Sequence, residues 1–188
     1  MLYYKGNIIW NNFCLAIIGS RDCSQESKDE VLKIVASLPK DIIIISGLAR
    51  GIDTCAHYSA LINKKKTIAV LPCGIETIYP KENKGLSEEI LKTGGMLLSE
   101  YPNKERATGK TFFLRNRIIT GLSSAVLVAH AKIKSGTMNA VGFAKKQEKP
   151  IYAIPGSEGT DFLLSNGAQL ASNLPLLFKN DNNESWNL

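Results

Sequence analysis

The sequence has only two histidines, His57 and His130, and its four cysteines (Cys14, Cys23, Cys55 and Cys73) form no Cys-x-x-Cys pair. A structural zinc site draws its ligands from such clusters, so this scarcity argues against a metal centre. Apolar runs such as Ile42–Ile45 and Ala125–Ala129 are far short of the roughly 20 residues that a membrane-spanning helix needs. Residues Met1 to Asn12 show no basic region followed by an apolar stretch, which predicts no secretory signal, a cytoplasmic location and reduced cysteines. Neither Gly-x-Gly-x-x-Gly nor Gly-x-x-x-x-Gly-Lys-Ser/Thr occurs, so the dinucleotide-binding and P-loop readings lose their usual support.

What remains is an ordinary globular composition, 44% apolar and 21% charged in 188 residues. That length fits one domain, read as residues 1–179 with a polar tail at 180–188. The charge is unevenly placed. Between Lys104 and Lys134 stand seven basic residues and one acid, Glu105, which equals the whole formal excess of +6. A local basic excess points to an anionic partner or to a solvated face, and charge alone does not separate the two.

The chain alternates strand and helix. Apolar strand-like runs occur at Cys14–Ile18, Ile42–Ser46, Thr67–Leu71, Met96–Ser99, Ala125–Ala129 and Ile151–Ile154. Helical spacing or helix signals follow most of them, from about Ser24 to Leu38, Asp53 to Lys64, Leu86 to Thr93, Phe112 to Leu122 and Gly136 to Gln147. This pattern predicts an α/β fold, a doubly wound and mostly parallel sheet with helices on both faces. Ligands of such sheets bind outside the carboxyl ends of the strands.

Four post-strand loops are rich in glycine and serine: Gly19-Ser20-Arg21, Ser46-Gly47 through Arg50-Gly51, Lys132 through Ser135-Gly136, and Pro155-Gly156-Ser157. Glycine lets a backbone amide approach a ligand, and helix N-termini favour phosphate. Each loop also has a plainer reading. Gly47 and Gly51 suit a strand-to-helix turn, Asp53 and Ser135 are natural N-caps, and His57 is expected to be packed rather than catalytic. The segment Lys110-Thr111-Phe112-Phe113-Leu114-Arg115-Asn116-Arg117 combines cations with aromatics, the pairing that binds single strands through phosphate and base. Arg115 and Arg117, two apart, do not share a helical face. One is expected to reach outward and the other to brace the loop or pair with an acid. Phe112 reads as core, and Phe113 is open between core and ligand.

These motifs together resemble the DNA-processing protein A family (DprA, also called Smf). The likeness runs from Leu2-Tyr3-Tyr4-Lys5-Gly6-Asn7 through Ile17-Ile18-Gly19-Ser20-Arg21, Tyr79-Pro80-Lys81-Glu82-Asn83 and Arg115-Asn116-Arg117-Ile118-Ile119 to Ile154-Pro155-Gly156. The resemblance implies an extended Rossmann-like domain that binds single-stranded DNA as a homodimer. Such proteins are not known as enzymes. They protect incoming DNA, help load a RecA-type recombinase and displace single-strand-binding protein. It also implies a site of Gly19, Ser20, Arg21, Ser46, Gly47, Arg50, Gly51, Lys110, Phe113, Arg115, Arg117, Lys132, Ser135 and Gly136, with Asp53 and Asn116 as structural supports and no cofactor or metal. The chain departs from the family's Val-Glu-Ala pattern, reading Val128-Ala129-His130-Ala131. The competing reading is a nucleotide-cleaving phosphoribohydrolase of the related Pro-Gly-Gly-x-Gly-Thr-x-x-Glu type. Pro155 to Asp161 echoes that motif, but Leu163 stands at the glutamate position, which leaves Glu100 as the best acid.

Overall fold

The computed structural model describes residues 1–9 and 13–177, so the polar tail expected at 180–188 lies outside the described residues. The strands are β1 (Tyr3–Gly6), β2 (Cys14–Gly19), β3 (Ile43–Ser46), β4 (Thr67–Leu71), β5 (Met96–Ser99), β6 (Ala125–His130), β7 (Ile151–Ala153) and β8 (Gln169–Leu170). The helices are α1 (Gln25–Ser37), α2 (Ile52–Ile62), α3 (Lys84–Lys92), α4 (Gly109–Gly121), α5 (Gly136–Lys146), α6 (Glu158–Ser165) and the short α7 (Leu174–Leu177). The strands form one sheet in the order β1-β5-β4-β3-β2-β6-β7-β8. All pairings from β5 across to β8 are parallel, and β1 joins β5 antiparallel with Tyr3 opposite Ser99.

Both faces of the sheet are covered, which explains why its central strands are continuously apolar. Side chains alternate along β2. Cys14, Ala16 and Ile18 pack with Ile118 and Ile119 of α4 and with Ala140, Val141 and Ala144 of α5. Leu15 and Ile17 face the other way, onto Val31, Ile34 and Val35 of α1 and Ile52, Ala56 and Ala60 of α2. The α3 residues Leu86 and Ile90 extend this second layer over Ala69, Leu71 and Leu97. Each fully buried Leu or Ile contributes about 1.5–3 kcal/mol relative to exposure.

Strand order reverses at β2, which has β3 on one side and β6 on the other. The chain winds outward from this point in both directions, so the loops after β2 and β6 diverge and leave a crevice between them. Several elements differ from the sequence reading, among them β1, α6 and α4. The edge strand β1 is four residues long and largely exposed, with too little apolar alternation to register. Helix α6, in a stretch that reads as mixed, is set by a capping box of Ser157 and Thr160. Helix α4 begins at Gly109 rather than Phe112, because Thr108 and Thr111 form a reciprocal cap: Thr111 N–H donates to Thr108 Oγ1 at 3.2 Å and Thr108 N–H donates to Thr111 Oγ1 at 2.8 Å.

Candidate functional site

The crevice at the switch point is a cleft of about 430 Å³. One wall is the loop after β2, Gly19 to Asp22. The opposite wall is Lys132 of the loop after β6 together with Ser135 and the first turn of α5. The start of α4 forms the third side through Gly109, Phe112, Phe113 and Asn116. Two helix N-termini, α4 and α5, therefore face the same space with their unpaired N–H groups and partial positive charge. Ser135 caps α5, its Oγ accepting from Met138 N–H at 3.4 Å, so the N-cap reading of Ser135 and its place at the cleft both hold.

Arg21 is exposed, and its guanidinium lies over the Phe112 ring, 4.8 Å from the centroid. Arg115 approaches the same ring at 5.8 Å, and Tyr79 meets it edge-on at 5.6 Å. Phe112 is thus a half-buried aromatic plate at the cleft wall with two cations near its ring, not a core residue as its apolar character suggested. Phe113 is 44% exposed, lines the cleft and packs on Phe143 of α5 with centroids 5.2 Å apart.

Of the two arginines in the Arg-Asn-Arg segment, neither is a free outward cation. Arg115 is only 4% exposed and sits under the cleft floor, where its Nη1 donates to the Val70 carbonyl at 2.7 Å. Its Nε–H has no partner among the described residues. Burial pulls the Arg115 pKa down, while nearby Asp53 pulls it up. Asp53 in turn is pushed up by burial and drawn down by Arg115. Arg117 pairs with Glu100 and lies outside the cleft lining. Asn116, half-buried, donates from Nδ2 to the Gly136 carbonyl at 3.4 Å and ties the middle of α4 to the start of α5.

The loop after β3 turns inward. Ser46 Oγ donates to the Ile17 carbonyl at 2.6 Å. A Cβ on Gly47 would fall 1.7 Å from Arg115 Nη1, so the glycine makes room for that guanidinium. Gly51 has φ +73°, and a Cβ there would meet the Ser20 carbonyl oxygen at 2.4 Å. Both glycines are held to close approach by the protein's own atoms, within the turn from β3 to α2. Asp53 is not an N-cap: α2 starts one residue earlier behind Gly51, and the Asp53 carboxylate folds back to accept from Ala49 N–H at 3.3 Å. Arg50 pairs with Glu82 on the surface. His57 is fully buried, with Nδ1 2.7 Å from Thr67 Oγ1, a packed and hydrogen-bonded histidine as expected.

Of the residues singled out in the sequence, the cleft brings together Gly19, Ser20, Arg21, Phe113, Arg115, Lys132, Ser135 and Gly136, with Asp53 and Asn116. Lys110 stands exposed in the first turn of α4, beside Gly109 but outside the lining. Ser46, Gly47, Arg50, Gly51 and Arg117 do not line it. Residues the sequence reading did not place at a site, besides Phe112, include Asp22, Gly109, Thr137 and Asn139. The nucleotide-cleaving chemistry finds little here: Leu163 is 1% exposed in the core, and Glu100 is engaged by Arg117.

An open cleft with cations, two helix N-termini and an aromatic plate is the kind of site that holds a phosphate-bearing polymer. Comparison with known proteins agrees in kind. The family described as DNA recombination-mediator protein A matches residues 1–180, and the chain belongs to that family. It is 40% identical over 179 residues to "DNA processing protein DprA" of Streptococcus pneumoniae, covering 92% of this chain and 63% of that protein. It is 37% identical to "Protein Smf" of Escherichia coli, covering 91% of this chain and 48% of that protein. The chain thus spans about half to two thirds of the length of these relatives. A solved structure of DNA processing protein A from Helicobacter pylori, described for its single-stranded DNA binding mode, matches with TM-score 0.88 at 33% identity, over 96% of this chain and 87% of that one.

Proposed function

We propose that this chain binds single-stranded DNA in the cleft between β2 and β6, protects incoming DNA and assists the loading of a RecA-type recombinase. It does so as a homodimer, displacing single-strand-binding protein and carrying out no catalysis. The observation that carries the binding step is Arg21 held over Phe112 beside the N-termini of α4 and α5. Phosphates engage Arg21, Lys132, Lys110 and the helix N–H groups. Bases stack on Phe113, whose ring is open to solvent. Buried Arg115 and Asp53 position these elements from below. The single-stranded DNA binding described for the Helicobacter pylori relative supports this reading.

Phosphate neutralisation releases counterions, so three engaged cations give a slope of about −2 in log affinity against log salt. Stacking and phosphate contacts read base identity poorly, so sequence preference is slight. Fluorescence anisotropy with labelled oligothymidylate across a salt series tests this. Arg21→Ala and Lys132→Ala each weaken binding about tenfold, the loss of one charge-assisted contact. Salt-independent binding, or unchanged affinity in both variants, overturns the site.

A further inference from the structure

We infer that the bound single strand leaves the cleft along α5, over the face that carries Asn139, Gly142, Phe143 and Lys146. This rests on the single-strand reading above and extends it beyond the cleft.

The four positions fall at i, i+3, i+4 and i+7 of one helix, so they share a face. Asn139 is exposed and lines the cleft, which anchors the near end of the face. Lys146 is seven residues on, about 10 Å further along the axis. Between them Phe143 packs on Phe113, the exposed aromatic of the cleft wall. A base that stacks on Phe113 is therefore followed by a second aromatic surface, and that by a cation. Lys146 is exposed and forms no ion pair among the described residues.

Gly142 gives an independent reason. It is exposed in the helix interior, and a Cβ placed there would meet nothing within 4 Å. The fold does not require a glycine at this position, and glycine weakens a helix relative to nearly every other residue. A bare stretch of helix backbone beside an aromatic and a cation suits close approach by an extended ligand. Charge agrees. From Arg106 to Gln147 the sequence has no acid and eight basic residues, so the basic tract continues past Lys134 to the end of α5. Complementing the helix dipole explains a lysine in the last turn. It does not explain the glycine.

The test compares the intact chain with Lys146→Glu and Gly142→Gln, using labelled oligothymidylates of about 6 and about 20 nucleotides. Glutamine is the better helix former, so Gly142→Gln keeps or raises the Tm. Both variants bind the long oligomer about tenfold more weakly and the short one within about twofold of the unaltered chain. Unchanged affinity for the long oligomer in both variants overturns the path. Equal affinity of the unaltered chain for both lengths also overturns it while leaving the cleft reading intact. Failure to bind either oligomer defeats the cleft reading, and this inference with it.

Discussion

The loops after β2 and β3 are alike in sequence and opposite in use. Both are glycine- and serine-rich, both carry an arginine, and both lead from a buried strand toward a helix. The first presents Arg21 to the cleft over an aromatic ring. The second spends its polar groups on the protein: Ser46 on the Ile17 carbonyl, Asp53 on the Ala49 amide, and the space at Gly47 on Arg115. They are also interlocked, since Ile52 N–H donates to the Ser20 carbonyl at 3.2 Å and a Cβ on Gly19 would strike Ile52 at 2.5 Å. The inward loop is thus the footing on which the outward loop stands. Glycine in a post-strand loop marks close approach, and the approaching group is as readily the chain's own arginine as a phosphate.

The largest test of this contrast is Arg115→Ala. It empties the space beside Gly47, strands the Val70 carbonyl and removes the positive charge that favours ionised, buried Asp53. Removing one partner from a buried charged arrangement costs about 3 kcal/mol or more. Urea denaturation is expected to show that loss, while Arg21→Ala leaves the unfolding midpoint nearly unchanged. Equal stability of the two variants would mean that the loops are not divided into footing and face.

A smaller effect concerns pH. Thr67 Oγ1 donates its proton to the Ile44 carbonyl at 2.8 Å, so it accepts from His57 Nδ1–H, and His57 Nε2 is left buried without a partner among the described residues. Protonation there would place a second cation near Arg115 in a dry interior, and burial first, then Arg115, hold the His57 pKa down at about 3. The unfolded chain takes up this proton near pH 6.5 and the folded chain only near 3. Between those values the unfolded state binds more protons, so stability falls as pH drops, by at most about 1.4 kcal/mol per pH unit from this group. Denaturation of His57→Gln beside the unaltered chain between pH 4 and 7 is expected to show a shallower slope in the variant. Parallel curves would remove His57 from the charge-intolerant footing.

The order of strands and helices was legible because both sheet faces are covered, which writes the central strands as unbroken apolar runs. The switch point was legible too, since parallel topology alone gathers the loops after β2 and β6. Direction of individual side chains was not. Serine, aspartate and arginine have the same letters whether they face solvent or a carbonyl of a neighbouring strand, and Ser46 and Arg115 donate to carbonyls 29 and 45 positions away. Phe112 was hidden for a related reason: a phenylalanine beside Phe113 and Leu114 has the same letter whether it packs in the core or stands at the cleft wall under Arg21.

Arg50 gives the smallest and most discriminating effect. It belongs to the inward loop by sequence, yet its side chain is 64% exposed and pairs with Glu82, itself 51% exposed. An exposed pair of this kind adds little to stability, so Arg50→Ala leaves the Tm unchanged within error. Its effect on binding depends on whether the guanidinium exchanges Glu82 for a phosphate. The two charge environments compete directly, so Glu82→Gln, which releases Arg50 without removing it, is the sharper variant. If Arg50 serves only the surface of the footing, both variants bind oligothymidylate within about twofold of the unaltered chain, the scale of one screened surface charge. Tighter binding by Glu82→Gln together with weaker binding by Arg50→Ala would move the second loop into the interface. The line between footing and face would then run between Gly47 and Arg50 rather than between the two loops.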